Sequence, residues 1–438
     1  MGADIVLWML LLLLIQVFIG IHIGIALAFC SGLGVYLMLG SYEAAVSIMG
    51  NTAYEAVRKD VFAVIPLFVL MGDIISKSGA AGDLYRVCNR ALRKIPGRLA
   101  IATIAGNTVF AAVTGVSIAA AAAFSRIAYP EMKKLGYKDS FSVGAVAGSA
   151  CLGMLIPPSI LLIVWAILTE MSVGALFLAG IVPGIVLALL FAIYVVISAK
   201  INPDVAPEPQ TSEIPSLRDL QGDELIGAGG IIFLICLVIG GLWGGLFTPT
   251  EAAGFGALGA VLVGMVKGMT GKDLLEAIYQ AGKTTAPIMF LLIAAQMYSR
   301  LLALGGAINF IQSLFLGLGA EPWIIISLML IIWIILGMLV DSVSIILLTV
   351  PIFAPLALSL GYDPIAFAIA GILVIEAGLL TPPFGLLVYT VKGALPDKSV
   401  TLGQIFKGST PYFICILIAA MLVLVVPSLA TWLPNVAL

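Results

Sequence analysis

Two stretches of this chain combine serine or threonine hydroxyls with glycines and proline pairs, residues that can bind a dehydrated cation inside a membrane. The first stretch runs from Gly115 to Leu162 and the second from Val340 to Leu387. A shift of 225 positions superimposes them without a gap. It pairs Ser117 with Ser342, Pro130 with Pro355, Gly153 with Gly378, and Pro157-Pro158 with Pro382-Pro383. Such a duplication in a long hydrophobic chain indicates a transporter.

Each proline pair interrupts a hydrophobic segment that otherwise has the composition of a membrane-spanning helix. The first break covers Gly153 to Pro158 and the second covers Gly378 to Pro383. Proline has no backbone donor and displaces the carbonyl one turn back, so carbonyls are left without helical partners. In lipid those carbonyls need another partner, and a sodium ion can be one. Glycine and proline are also common in ordinary membrane helices, but two breaks in matching register favour a functional role.

Hydroxyl groups are expected to complete the ligand set at each break. Ser117 would face the first break, while Ser342 and Ser344 would face the second, where Thr381 adds its own hydroxyl. The competing interpretation is that these hydroxyls bond back to their own helices. Helices that begin after the serines direct positive dipole ends towards the membrane midplane, where an anionic substrate could lie. The second site is predicted to be richer in side-chain oxygen than the first.

Three charged side chains are further candidates for the substrate site or its cavity. Asp341 has Val116 as its counterpart, so a role at one site only is expected. It could line the cavity, tune the ion site or hold a partner group. Glu376 has two open interpretations, a structural hydrogen bond or ion and proton coupling. Arg126 could bind a substrate carboxylate, form an ion pair or extend to the cytoplasmic surface.

The composition predicts that these residues are carried by an all-α polytopic membrane protein. The chain has 438 residues, of which 62% are hydrophobic and 10% charged, against about 25% charged in soluble domains. A net charge of −2 does not indicate nucleic-acid binding, and the five cysteines show no metal-ligand spacing. No acidic metal-binding pair, nucleophile–base set or glycine-rich phosphate loop is found, which argues against a membrane-embedded enzyme.

Basic residues orient the chain through the positive-inside rule, which places four clusters in the cytoplasm. The clusters are Arg86 to Arg98, Lys133 to Lys138, Lys267 to Lys283, and Lys392 to Lys407. The segment 99–130 lies between the first two clusters, so it is predicted to be a re-entrant helical hairpin. Its counterpart, 323–355, has no lysine or arginine in its flanks (Gly317 to Pro322 and Ala357 to Pro364), so it should enter from outside. The duplication and the opposite charge of the flanks therefore predict inverted repeats.

The predicted organisation has two halves joined by a polar linker. The first half, 1–200, contains the hairpin 99–130 and a broken helix at 140–168. The linker, 201–227, is rich in proline and charge, and the second half, 228–438, contains the hairpin 323–355 and a broken helix at 365–390. The N-terminal apolar run from Ile5 to Leu39 is either two short crossings broken near His22 or one strongly tilted helix.

At these residues the chain resembles the large membrane subunit of tripartite ATP-independent periplasmic (TRAP) transporters. The matching motifs are PLFVLMG at Pro66 to Gly72, IAYPEM at Ile127 to Met132, GMLIPPSI at Gly153 to Ile160, FLAGIVPG at Phe177 to Gly184, LFTPTEAA at Leu246 to Ala253 and GLLTPPFG at Gly378 to Gly385. The likeness covers essentially the whole chain. It implies an elevator-type, sodium-driven importer of organic acids in the bacterial inner membrane, working with a small four-helix membrane subunit and a periplasmic binding protein.

The resemblance also implies two sodium sites where hairpin tips meet broken helices, with Na⁺ as the coupling ion and no cofactor. The first site maps onto Gly115, Ser117, Gly153, Ile156 and Pro158, and the second onto Ser342, Ser344, Gly378 and Thr381. The first tip departs from the family pattern, which often has consecutive serines, because Val116 replaces one. A self-sufficient sodium- or proton-coupled anion carrier without a binding protein is the alternative. The substrate is expected to be a dicarboxylate, a sialic acid or a similar carboxylate.

Overall fold

The computed structural model describes residues 2–207, 216–307, 310, 313 and 321–437, and within these ranges the chain is helical without β-strands. Part of the predicted linker and residues 317–320 of the flank before the second hairpin lie outside the described residues. The helices are α1 Gly2–Phe18, α2 Ile23–Leu39, α3 Tyr42–Arg58, α4 Val64–Lys77, α5 Ala80–Ala91, α6 Arg98–Thr114, α7 Ser117–Lys134, α8 Asp139–Ala150, α9 Ile160–Thr169, α10 Val173–Ile201, α11 Gly222–Trp243, α12 Pro249–Val266, α13 Gly271–Leu304, α14 Pro322–Gly337, α15 Ser342–Ser359, α16 Pro364–Gly378, α17 Leu386–Ala394, α18 Leu402–Val425 and α19 Ser428–Ala437.

Six of these helices are long and apolar enough to cross a bilayer, and several shorter apolar helices accompany them. The segment Asp60–Lys77 and helix α5 together form a further apolar unit, bent by 67°. The N-terminal apolar run is two helices, which decides between the two alternatives left by the sequence. The break falls at His22, whose imidazole accepts a hydrogen bond from the Gly24 amide at 3.3 Å and so caps α2.

The 225-residue correspondence extends to the helices outside the hairpins. Helices α1 and α2 of the first half match α11 and α12 of the second, and α13 matches α3 and α4 together. The match is imperfect at one point, because α13 is a single helix of 34 residues that continues through Pro287. The two sets interlock, since α12 packs on α4 and α13 packs on α2. Together they form what we call the scaffold.

The two hairpins and the two broken helices form a second group, here called the transport block. Hairpin 1 is α6 and α7, and hairpin 2 is α14 and α15. Their returning arms run past the predicted ends at Pro130 and Pro355, to Lys134 and Ser359. A proline removes one backbone bond from a helix, and neighbouring helices in a membrane protein can compensate for it. Broken helix 1 is α8 and α9, and broken helix 2 is α16 and α17.

The repeats exchange partners within the transport block. The returning arm α7 of hairpin 1 packs on α17, the second half of broken helix 2, and α15 of hairpin 2 packs on α9 of broken helix 1. Buried aromatic rings also join broken helix 1 to the second repeat. The ring centroid of Trp165 in α9 lies 5.9 Å from that of Trp333 in α14 and 6.1 Å from that of Phe367 in α16. Such aromatic pairs each contribute about 1 kcal/mol beyond their buried area.

Polar contacts at the ends of the block show that the two hairpins open to opposite faces. Lys133, at the base of hairpin 1, lies 2.7 Å from Asp139 and 3.6 Å from Asp397, which follows broken helix 2. At the other end, Glu170, which follows broken helix 1, lines one cavity together with Pro355 of hairpin 2. Because each broken helix runs from one of these ends to the other, the hairpin bases must lie on opposite sides. The inverted-repeat fold class is therefore confirmed.

A buried charge cluster fixes α5 to the start of α11 and the end of α12. The Lys267 ammonium lies 2.7 Å from Asp83 and 2.6 Å from Asp223, and both Lys267 and Asp83 are almost fully buried. The Glu224 carboxylate forms ion pairs with Arg86 at 2.8 Å and with Arg90 at 2.9 Å. Opposite charges that bury one another in this way hold helices in one register, because removing either partner leaves an uncompensated charge.

Candidate functional site

The tip of hairpin 1 is inserted into the break of broken helix 1. Gly115 adopts a left-handed backbone with φ 63°, which turns the chain between the two arms. Its carbonyl accepts a hydrogen bond from the Ile160 amide at 3.3 Å, across the break. A β-carbon at Gly115 would collide with the Pro158 carbonyl oxygen. Only glycine fits at this tip, because both the backbone angle and the neighbouring carbonyl exclude a side chain.

Gly153 provides the matching surface on the broken helix. The helix tightens to a 3₁₀ turn over Cys151–Met154 and then unwinds. A β-carbon on Gly153 would come within 3.0 Å of the Ser117 amide nitrogen, so this glycine lets the tip backbone approach closely. The Ser159 hydroxyl donates to the Met154 carbonyl and accepts from the Leu162 amide, which closes the break at its far end. The Ser117 hydroxyl oxygen is buried and has no hydrogen-bond partner in the described residues.

At the first site, four of the five predicted residues lie together because their backbones are in close contact. Gly115 and Pro158 face each other, and Ser117 faces Gly153. Ile156 is different, because its amide bonds to the Leu152 carbonyl at 2.9 Å and its side chain packs towards Gly184. Every residue of the break from 151 to 160 is buried, so this site is closed to solvent.

The second hairpin meets its broken helix in another way. Gly337, at the end of the entering arm, approaches Gly378 so closely that a β-carbon on either would lie 2.7 Å from the other's Cα. Asp341 accepts a hydrogen bond from the Ser344 amide at 3.0 Å and so caps the returning helix α15. The cap places a carboxylate at the positive end of this helix, whereas the equivalent end of α7 follows Val116 and has no side-chain cap.

The second break is open where the first is closed. Pro382, Pro383 and Phe384 are exposed, in contrast to the buried first break. The Thr381 hydroxyl donates to the Gly378 carbonyl at 2.6 Å, so its oxygen remains free to accept or to bind a cation. The Leu387 amide reaches the Leu379 carbonyl at 3.3 Å and holds the two helical parts together across the break.

Glu376 joins the two halves of the site. It is fully buried, and its carboxyl oxygen Oε1 accepts a hydrogen bond from the Ser342 hydroxyl at 2.7 Å. The Ser117 hydroxyl also faces this carboxyl without forming a hydrogen bond of good geometry, and Oε2 has no partner among the described residues. The Cys151 thiol lies 3.7 Å from the Glu376 backbone carbonyl. The two hairpin tips therefore converge on one carboxyl group.

Sequence reasoning placed Glu376 at membrane depth but did not assign it to both tips. The available signal was the 225-residue shift, which superimposes Glu376 on Cys151. Equivalent residues of two inverted repeats contact each other when they lie close to the axis that relates the repeats. Cys151 and Glu376 are in contact in this way. The close approach of Gly337 to Gly378 was also missed, because residue 112, the counterpart of Gly337, is an alanine and breaks the repeat pattern.

Arg126 lies outside this cluster. It occupies the middle of the returning arm α7, is exposed, and has no ion pair or hydrogen bond in the part of the chain that the structure describes. The ion-pair interpretation therefore has no support from the described residues. Binding of a substrate carboxylate and extension to the cytoplasmic surface both stay predictions for this side chain.

Comparison with known proteins agrees with the sequence resemblance. The family profile described as "Tripartite ATP-independent periplasmic transporter, DctM component" matches residues 6–429. The C4-dicarboxylate TRAP transporter large permease protein DctM of Pseudomonas aeruginosa is 32% identical over 384 residues, which are 87% of this chain and 88% of that protein. The ectoine/5-hydroxyectoine TRAP transporter large permease protein UehC of Ruegeria pomeroyi is 32% identical over 445 residues, which cover 100% of this chain and 99% of that protein. The sialic acid TRAP transporter large permease protein SiaM of Vibrio cholerae is 26% identical over 427 residues, covering 96% of each.

Two solved structures share the fold at low sequence identity. MtrF of Neisseria gonorrhoeae, described as illuminating a class of antimetabolite efflux pumps, superimposes with a TM-score of 0.61 at 17% identity, over 89% of this chain and 84% of that one. The YdaH transporter of Alcanivorax borkumensis gives a TM-score of 0.60 at 14% identity, over 90% and 89%. Both are membrane transporters, and the likeness concerns the fold.

Proposed function

Because the chain belongs to the DctM component family of tripartite ATP-independent periplasmic transporters, we propose that it imports a small carboxylate-bearing solute in symport with sodium. The chain is a multi-pass membrane permease and not an enzyme. We place it in the bacterial inner membrane, with a small four-helix membrane subunit and a periplasmic binding protein as partners. The substrate and the coupling ion are the parts of this proposal that need experiments.

Sodium coupling is supported by the meeting of hairpin tips with broken helices. At the first tip, the ligands would be backbone carbonyls of the break together with the Ser117 hydroxyl, which forms no hydrogen bond of good geometry within the described residues. At the second, they would be the Ser342, Ser344 and Thr381 hydroxyls with the carbonyl of Gly378. Sodium is a hard cation that prefers oxygen ligands, and unwound carbonyls in a membrane are a source of them.

The shared carboxyl of Glu376 is the observation that carries the proposal. Hydroxyls and carbonyls are neutral, so a cation bound to them alone would remain an uncompensated charge in a buried site. Glu376 contacts Ser342 and faces Ser117, and its Oε2 has no partner among the described residues, so one ionisable carboxyl group lies between both tips. We infer that this carboxylate favours cations at the two sites together and links their occupancy.

The substrate class follows from the chemistry that the related permeases share. Their names specify C4-dicarboxylate, ectoine and sialic acid, and each of these solutes carries a carboxylate. For this chain we propose such an acid, bound near the exposed second break, where Asp341 and Thr381 are partly accessible. Arg126 is the candidate cation for the carboxylate.

Transport would follow from movement of the transport block against the scaffold. The exchange of partners between the repeats and the aromatic cluster of Trp165, Trp333 and Phe367 support motion of the block as one body. The interlocked scaffold helices α2, α4, α12 and α13 support a fixed frame. Such a movement would carry both tips and their ligands across the membrane together, as an elevator does.

Uptake of the radiolabelled solute into proteoliposomes that contain the complete transporter tests this proposal. We expect uptake to require an inward sodium gradient and a matching binding protein. Succinate, ectoine and N-acetylneuraminate are the first solutes to screen. Uptake at full rate in sodium-free buffer, driven by a proton gradient alone, would contradict sodium coupling. Uptake without any binding protein would favour a self-sufficient carrier.

A further inference from the structure

A separate cavity on the scaffold carries a positive charge that the proposed transport sites do not use. It has a volume of about 470 Å³ and lies between helix α3 and the end of helix α13. Cavities that bind small organic molecules commonly measure roughly 300 to 1,000 Å³. Its polar lining consists of Asn51, Thr52, Glu55, Lys59, Gln296, Ser299 and Arg300. We call it the α3 cavity.

The α3 cavity lies on the face opposite to the base of hairpin 1. Lys59 pairs with Glu170 at 3.8 Å, and Glu170 follows broken helix 1 at its far end. The Gln296 side chain reaches the Ile167 carbonyl, near that same end, at 3.5 Å. Because Lys133 and its neighbours place the base of hairpin 1 in the cytoplasm by the positive-inside rule, the α3 cavity opens on the outer side.

Two groups in the α3 cavity lack partners. The Arg300 guanidinium has no ion pair or hydrogen bond within the described ranges, although it carries five donors. The adjacent Ser299 hydroxyl oxygen is buried and also has no hydrogen-bond partner there. The Ser299 oxygen has almost no solvent-accessible surface in this structure, so the exposed Arg300 guanidinium is the group that an incoming anion can reach.

The other charges around the cavity leave Arg300 uncompensated. Glu55 lines the cavity but pairs with Arg58 at 3.2 Å, and Glu170 pairs with Lys59. These two pairs cancel, so one positive charge remains at the cavity wall. Arginine is the side chain that matches the planar geometry of a carboxylate through two parallel hydrogen bonds.

We propose that the α3 cavity is an anion-accepting vestibule, in which Arg300 holds the carboxylate of the incoming solute before it reaches the hairpin tips. The amides of Asn51 and Gln296 and the hydroxyl of Thr52 would contact the remaining polar groups of the solute. A lipid headgroup is the less suitable occupant, because an acyl chain would leave these polar groups unsatisfied. This inference rests on the proposed transport of a carboxylate and adds its route of access.

The first test is independent of the substrate. An Asn51→Cys variant, at an exposed position of the cavity lining, is labelled with the anionic sulfonatoethyl methanethiosulfonate and with its cationic trimethylammonium analogue. We expect the anionic reagent to react about tenfold faster, relative to the same ratio at the exposed Tyr42→Cys, and the preference to disappear with Arg300→Gln. The parental chain without Asn51→Cys measures the background from its own cysteines. No preference, or a preference that survives Arg300→Gln, would overturn the proposal.

The second test measures uptake by the complete transporter. Loss of the charged contact in Arg300→Gln should raise the KM for the solute on the order of tenfold and change kcat less than about twofold, because the vestibule is outside the translocating block. Arg300→Lys should restore most of the KM. An unchanged KM would overturn the proposal even if labelling is charge-selective. Loss of the labelling preference on addition of phosphatidylglycerol would also overturn it, in favour of a lipid site. If wild-type chain takes up no carboxylate, the labelling test still decides whether the anion cavity exists.

Discussion

At the scale of single residues, the site depends on a carboxyl group placed where the two repeats meet. Glu376 occupies the position of Cys151 in the other repeat, and the two lie side by side. A cysteine is a weak hydrogen-bonding group, so only one member of the pair can carry charge. The two repeats therefore have similar tips, and they differ in that only one of them carries a carboxyl group at this contact.

Ser342→Ala is expected to raise the sodium concentration for half-maximal uptake by about tenfold. The substitution removes a hydroxyl ligand and leaves Oε1 of Glu376 without its donor, which is 2.7 Å away in the native chain. Thr381→Ala should act in the same direction but less strongly, since its hydroxyl bonds only to the Gly378 carbonyl. Thr390→Ala is the matched control, because its exposed hydroxyl bonds to its own helix. An unchanged sodium dependence in the first two variants would remove these residues from the site.

Glu376→Gln should also weaken sodium binding, because glutamine keeps the shape of the side chain and removes its charge. Combined with Ser342→Ala, the change should be less than the sum of the two single changes, since both act on one contact. The measurement is the sodium dependence of uptake in the single and double variants. Strict additivity would mean that the Ser342–Glu376 hydrogen bond does not contribute to ion binding.

At the scale of helices, the candidate site is defined by how closely each hairpin tip enters a break. Gly115 and Gly153 allow this on one side and Gly337 and Gly378 on the other. In each case the contact is backbone to backbone, so a β-carbon would separate the tip from the carbonyls that it faces. Close packing of this kind is common between membrane helices with small residues at their interface.

Gly115→Ala should abolish transport without preventing membrane insertion. Alanine in a left-handed conformation costs about 1 to 2 kcal/mol, and its methyl group would also collide with the Pro158 carbonyl. Gly79→Ala is the matched control, because Gly79 has φ 80° but no atom within 4 Å of the added carbon. Uptake rates normalised to the amount of inserted protein provide the comparison. Equal losses in both variants would show that backbone strain alone, and not the contact with the break, is responsible.

The polar contacts of Lys133, Asp139, Asp397 and Tyr129 connect hairpin 1 to the loop after broken helix 2. Hydrogen bonds from the Ser399 hydroxyl and amide, with smaller effects of Tyr129 and Lys133, lower the pKa of Asp397 to about 2. The hydrogen bond that Lys133 donates to Asp139 raises the pKa of Lys133. The lowered carboxyl pKa stabilises the fold above about pH 4 and is lost as the pH falls towards about 2, whereas the raised lysine pKa stabilises below about pH 10.

This connection should therefore be insensitive to pH across the physiological range. We expect Asp397→Asn to lower the midpoint of thermal unfolding by the same amount at about pH 5 and about pH 8. Asp204→Asn, at an exposed position, is the control and should leave the midpoint unchanged. A decrease confined to one of the two pH values would contradict the assignment, as would the absence of any decrease.

At the scale of the whole molecule, the inverted arrangement gives each face of the membrane one hairpin base. Lys133 and Asp397 mark one face, and Glu170 with Pro355 marks the other. The two halves are not equivalent in this structure, because the first break is buried and the second is exposed. The two candidate sites therefore differ in their access to solvent in this structure.

Cysteines placed at Lys134 and Ser359 should be labelled from opposite sides of the membrane. Both positions are exposed at the ends of the returning arms. A membrane-impermeant maleimide added to whole cells should reach position 359, and position 134 only after the cells are opened. Accessibility of both positions from the same side would contradict the inverted topology.

Much of the candidate site could be derived from the sequence, because its signals are local. A proline pair after a glycine breaks a helix wherever it occurs, and the 225-residue shift pairs each break with its tip. The clusters of lysine and arginine then oriented the hairpins, since charge next to a membrane span acts over a short distance along the chain. Hydrophobic length and composition were sufficient for the membrane class and the fold class.

The tertiary structure alone decided what lies between the repeats. The contact of Glu376 with Ser342, the closed first break and the vestibule at Arg300 all join residues that are distant in the sequence. Asp341 illustrates the difference, because the sequence left open whether it lines the cavity, tunes the ion site or holds a partner group, and only the structure shows that its carboxylate caps a helix. Local patterns fix where a helix begins and breaks, whereas the partners of a side chain depend on packing between distant segments.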